Sequence, residues 1–97
     1  MGYCITEADI SAFRLALRSA ERSAGTVAQY GRVVLGLRRW LDGRGVSQEL
    51  LNAWKGELAL RYSARTVNAM LAAVNCFCKF AGLSFRLRFL RVQRAMF

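Results

Sequence analysis

The sequence predicts an all-α domain: a bundle of four helices followed by an extended C-terminal arm. Three observations lead there. Hydrophobic residues make up 55% of the 97-residue chain and Pro is absent, which suits helices packed around one core and excludes a disordered chain. Apolar residues recur at spacings of three and four in four separate segments, the period of one helix face. Each segment opens on Ser or Thr, which cap the unpaired amides of a helix start. A domain of this length buries roughly 60–70% of its unfolded surface, so one globular unit is expected.

The first helix begins after Thr6, with Asp9 answering three residues later as a capping box. Glu7 and Asp9 complement the positive helix end, and Ile10, Phe13 and Leu17 form the buried stripe through about Glu21. Arg14 and Arg18 then face outward. The second helix starts between Ser23 and Thr26, buries Val27, Tyr30, Val34, Leu37 and Leu41, and stops before Gly43 and Gly45. After the turn "DGRG", Ser47 opens a third helix carrying Leu50 or Leu51, Trp54 and Leu58, which ends near Arg61. The fourth runs from Ser63 to Ala81 on Val67, Met70, Val74 and Phe77, with Gly82 as its stop. Helices two and four share their phase: Val27, Tyr30, Val34, Leu37 and Trp40 match Val67, Met70, Val74, Phe77 and Phe80. Either a duplicated hairpin or chance recurrence of short capped helices accounts for that.

Residues 1–82 are therefore read as the helical domain and 83–97 as an arm. In "LSFRLRFLRVQRAMF" there are four Arg and no acid, and Phe85, Leu87 and Phe89 alternate with Arg86 and Arg88 at strand period. With no partner strand in so helical a chain, the arm is expected to be mobile, to pack on a neighbour, or to lead into something beyond Phe97.

Charge points to the partner. Fifteen Lys and Arg against six Asp and Glu give a net charge of +9, and thirteen of the fifteen are Arg, whose planar fork donates bidentately to phosphate and to guanine edges. A polyanion is expected; the plainer reading is a solvated basic surface. Cys76 and Cys78, two apart on a helix, point away from each other and do not bridge, which with Cys4 suits a reducing, cytoplasmic setting. Without His or a CxxC motif no metal site or cofactor is expected. No apolar run approaches the roughly 18 residues of a membrane span, and Glu7 and Asp9 stand where a signal peptide would be apolar. Nor is catalysis expected of this chain: it has no His base or paired carboxylates, and no basic cluster is organised around Tyr3, Tyr30 or Tyr62.

On the non-core side of helix four, Arg65, Asn68, Ala72, Asn75 and Lys79 form one polar stripe at helical spacing. Arg addresses guanine and Asn addresses adenine, so the stripe suits a DNA groove, or it is the ordinary wet face of an amphipathic helix. Helix two presents Ala28, Gln29, Arg32, Gly36 and Arg39. Gly31 and Gly36 each cost a helix about 0.5–1 kcal/mol relative to Ala, which suggests either close approach of DNA or another helix, or loose packing. Ser23, Thr26, Ser63 and Thr66 are caps whose helix starts also face phosphate well.

Taken together, "SAGTVAQYGRVVLGLRRWL", "SARTVNAMLAAVNCFCKFAGL" and "RVQRAMF" resemble the N-terminal core-binding domain of tyrosine recombinases, the phage-integrase family, from about Ile5 to Phe97. The polar starts and core positions Thr26, Tyr30, Trp40, Thr66, Asn68, Leu71 and Phe77 carry the likeness; none is a catalytic signature. The resemblance implies a SAM-like four-helix bundle that clamps double-stranded DNA through its second and fourth helices. It also implies a separate C-terminal catalytic domain of the same full-length chain, and neighbouring recombinase protomers on the DNA. The arm from Leu83 would then begin the interdomain linker. The alternatives are a basic helical protein-interaction or RNA-binding module, and a free-standing regulator that dimerises.

Overall fold

The computed structural model describes residues 2–91, and these form four helices: α1 (Glu7–Ser19), α2 (Ala24–Leu41), α3 (Gln48–Arg61) and α4 (Ala64–Phe80). All four begin as the sequence reads. Thr6 and Asp9 close a reciprocal capping box, with Asp9 N–H donating to Thr6 Oγ1 at 3.1 Å and Thr6 N–H donating to Asp9 Oδ2 at 2.9 Å. Ser23, Ser47 and Ser63 cap the other three, accepting from the amides of Thr26, Leu50 and Thr66. The Thr6 amide holds the Asp9 carboxyl below its ordinary range.

The helix ends are less regular. α1 stops at Ser19, short of the expected Glu21, because Glu21 takes the left-handed conformation at φ 60°. Arg22 N–H then bonds Leu17 O and Glu21 N–H bonds Arg18 O, the paired contacts of a Schellman end. α4 ends the same way on Gly82, at φ 74°, with Leu83 N–H on Cys78 O and Gly82 N–H on Lys79 O. α2 is closed by Arg44, which donates to the carbonyls of Leu41 and Trp40 and lies over the Trp40 ring at 4.7 Å.

One core joins the four helices. Phe13 and Leu17 of α1, Val34, Leu37 and Leu41 of α2, Leu51 and Trp54 of α3, and Val67, Leu71, Val74 and Phe77 of α4 are all buried in it. Phe13 meets Phe77 edge to face at 5.3 Å. Leu71, Ala73 and Cys78 widen α4's buried face beyond the expected stripe, and burial pushes the Cys78 thiol up. Phe80, placed on the core phase by the sequence, is 44% exposed and packs one side of its ring near Phe13 and Phe77, at 5.6 and 6.3 Å between centroids. Gly31 is explained by α1: a Cβ there would strike the Arg14 guanidinium, so the Arg14 side chain crosses α2 where a side chain is missing. At Gly36 nothing lies within 4 Å.

Two segments outside the helices complete the unit. Val46 N–H bonds Tyr3 O at 2.7 Å in an antiparallel bridge, made as Gly2 and Gly45 pass so closely that a Cβ on either would strike the other's backbone. Burial and then the Asp9 carboxylate push the Tyr3 phenol up to about 12. The arm beyond Gly82 is extended, as read, but it is not without a partner: it lies along α3 and α4, with Leu87 buried and Phe85 and Leu90 packed against the core. Residues 92–97 of the expected linker lie outside the described residues.

Candidate nucleic-acid interface

The exposed ridge of α2 carries Gln29, Arg32 and Gly36 at helical spacing. Arg32 borders two depressions. On one side, Arg14 and Arg18 of α1 with Ala24, Val27 and Ala28 line a space of about 260 Å³. On the other, Gln29 and Gly36 face Trp54, Leu58 and Arg61 of α3, together with Tyr62 and Met70, across about 330 Å³. On the sequence Arg14 and Arg18 simply face outward from α1. The crossing of Arg14 over Gly31 brings α1's cations to α2's edge.

At the far wall of the second groove the Arg61 guanidinium lies over the Tyr62 ring at 5.6 Å. Tyr62 caps α3 and directly precedes Ser63, so this wall runs into the start of α4, where Ser63 and Arg65 are exposed. Sequence reasoning missed Arg61 and Tyr62, because residues at a helix end show no periodicity that assigns them a face. At both helix starts the cap hydroxyls are paired as well as capping: Ser23 Oγ donates to Thr26 Oγ1 at 2.9 Å and Ser63 Oγ donates to Thr66 Oγ1 at 3.2 Å.

The remaining expected residues scatter. Arg39 lies toward the other end of α2, in a depression with Cys4, Arg38 and Arg44. Arg38 Nε there donates to Ile5 O at 3.2 Å. Lys79 flanks an apolar groove between α1 and α4, beside Phe80 and Cys76. Asn68 and Asn75 do not stand open to solvent: both are half-buried, and their carboxamides hold the arm. Asn75 Nδ2 donates to Leu87 O at 2.9 Å and Leu87 N–H donates to Asn75 Oδ1 at 2.7 Å. Asn68 pairs with Leu90 likewise, at 2.8 and 2.6 Å. The polar stripe of α4 is thus divided between Arg65 and Lys79, which are exposed, and two Asn side chains that serve the fold.

The ridge offers guanidinium forks, an amide and two helix starts, an array suited to phosphate oxygens and base edges. Among the described residues no helix is long and apolar enough to cross a membrane. No curated protein and no solved structure matches the chain. Residues 10–83 match the family described as phage integrase, N-terminal SAM-like domain, from the first core residue of α1 to the close of α4. The chain belongs to that family, the N-terminal SAM-like domains of the tyrosine recombinases.

Proposed function

We propose that this domain holds duplex DNA for a site-specific tyrosine recombinase, through the α2 ridge and the start of α4, while strand cleavage and rejoining are carried out by a separate catalytic domain. The observation that carries the reading is the position of Arg32. It stands between a groove holding Arg14 and Arg18 and a groove holding Gln29 and Arg61, so five polar or cationic side chains from three helices share one surface. Arg65 and the amides at the Ser63-capped start of α4 extend that surface past Tyr62. The net charge of +9 supports a polyanion over an acidic peptide, because guanidinium-rich surfaces draw binding free energy from counterion release along a phosphate chain.

In this reading most contacts go to phosphate and position the domain, with Arg32, Gln29 and Arg65 as the side chains able to reach base edges. Ser23, Thr26, Ser63 and Thr66 shape the two helix starts, each Ser Oγ accepting the Thr N–H and donating to the Thr Oγ1, and the first-turn amides left for phosphate are those of residues 24–25 and 64–65. Arg39 and Lys79 add long-range attraction from other faces. The partners are then DNA, the catalytic domain and neighbouring protomers, in the cytoplasm of a bacterial host.

Chemical-shift mapping tests it: under saturating duplex, amides of 29–36 and 61–66 are expected to move most. Shifts confined to other segments would contradict it.

A further inference from the structure

A second basic depression lies on another face of the bundle, and neither the sequence stripes nor the α2 ridge includes it. It is built by α3 and the docked arm. Gln48, Asn52, Lys55 and Ala59 form one wall and Arg86 and Arg88 the other, around a space of about 540 Å³. Its lining holds three cations and two carboxamides, and no carboxylate.

The arm's wall exists because of a side-chain match. Asn68 and Asn75 are seven residues apart on α4, about 10.5 Å of helix rise, and they pair with Leu90 and Leu87, whose three-residue span is about 10 Å in extended chain. The arm therefore runs antiparallel to α4 and is held as one strand holds another. On its other edge Gln48 Nε2 donates to Arg86 O at 2.9 Å while Gln48 Oε1 accepts from Arg86 N–H at 3.3 Å, and Lys55 Nζ donates to Arg88 O at 2.6 Å. Lys55 keeps two further donors beyond that bond. The Arg88 side chain makes no hydrogen bond among the described residues. Three positive charges thus line one groove with no acid in the lining to offset them; Arg86 Nη1 donates to the carbonyls of Leu83 and Phe85, which leaves its remaining N–H groups, Lys55 and Arg88 as the donors for an anion.

We infer that the groove between α3 and the latched arm is a second phosphate-binding site, formed by Lys55, Arg86 and Arg88, which takes the sugar-phosphate backbone of nucleic acid and exists only while Asn68 and Asn75 hold the arm in place. The inference rests on the DNA-binding reading of the domain but uses a different face. It assigns Asn68 and Asn75 a positioning role toward DNA in place of base contact.

The test uses the 97-residue chain, a duplex titrated over a range of salt, and inorganic phosphate as a second probe. Arg88→Gln is expected to lower duplex affinity severalfold and to reduce the slope of log affinity against log salt by about 0.9. Asn68→Ala combined with Asn75→Ala is expected to lower affinity and slope at least as much with no charge changed, because it dissolves the whole site. Adding Arg88→Gln to that pair is expected to cost nothing more, since the site is already gone. Full additivity would overturn the inference, because the arm would then bind as a free tail. If Arg88→Gln changes nothing while Arg32→Gln weakens binding, this site is wrong and the α2 ridge stands; if both change nothing, the DNA-binding reading fails as well. Inorganic phosphate shifting the Lys55 and Arg88 resonances as tightly as duplex does would overturn the nucleic-acid source.

Discussion

The carboxamide of Asn75 pairs with both backbone polar groups of Leu87, twelve residues along the chain, at 2.9 and 2.7 Å. A helix side chain here does the work of a strand edge, and Leu87 is 3% exposed as a result. Alanine at Asn75 leaves the Leu87 N–H and C=O without partners, each loss worth about 1–3 kcal/mol where the group stays buried. Opening of the arm to water relieves that cost, so the expected result is local. Hydrogen-exchange protection at Leu87 and Leu90 falls sharply in Asn75→Ala, while protection at Val67 to Val74 is retained.

That pairing also marks what the sequence disclosed and what it did not. Ser23 with Thr26 and Ser63 with Thr66 were legible as caps because both partners sit within one turn of each other. The buried stripes of α1 and α3 were legible because periodicity fixes a face. Periodicity cannot say what covers a face, so Asn68 and Asn75 read as part of a stripe that suits a DNA groove or simply solvent, although an arm twenty-two and twelve residues away, respectively, lies on them. Arg14's place beside α2 was hidden for a related reason: the gap at Gly31 that receives it is visible only once α1 and α2 are packed. Gly82 announced its helix end, whereas Glu21, in the same Schellman position, did not.

Glu21→Gly is expected to stabilise the protein. A left-handed residue with a Cβ costs roughly 1–2 kcal/mol, and Gly removes that strain while loosening the unfolded chain, leaving a gain of about 1 kcal/mol. Denaturant unfolding of the two proteins checks it.

Two other glycines are expected to respond in opposite directions. Gly36→Ala meets open space in a helix interior and gains about 0.5–1 kcal/mol from helix propensity. Gly45→Ala places a Cβ 2.7 Å from the Gly2 Cα, backbone against backbone, and is expected to break the Tyr3 to Val46 bridge and lower stability. Thermal midpoints of both variants separate the cases.

Stability is expected to fall at both pH extremes for identified reasons. Tyr3 titrates near 12 in the folded protein against 10.0 ordinarily. A raised value means its contribution is complete below about pH 10 and is lost as pH climbs toward 12. Asp9, held below its ordinary 3.8 by the Thr6 amide, contributes above that value and loses its contribution as pH falls through the lowered one. Tyr3→Phe flattens the alkaline limb and Asp9→Asn the acid limb of a plot of unfolding midpoint against pH.

The central claim is that the α2 ridge binds duplex DNA, and Arg32, which borders both grooves, tests it most directly. The measurement is duplex affinity as a function of salt for the wild type and for Arg32→Gln, with the fold of each checked by circular dichroism. Loss of one phosphate contact is predicted to reduce the slope of log affinity against log salt by about 0.9, and loss of a bidentate base contact to weaken a preferred sequence by a further 1–3 kcal/mol or so. An unchanged slope and unchanged affinity in a fully folded Arg32→Gln protein would contradict the account.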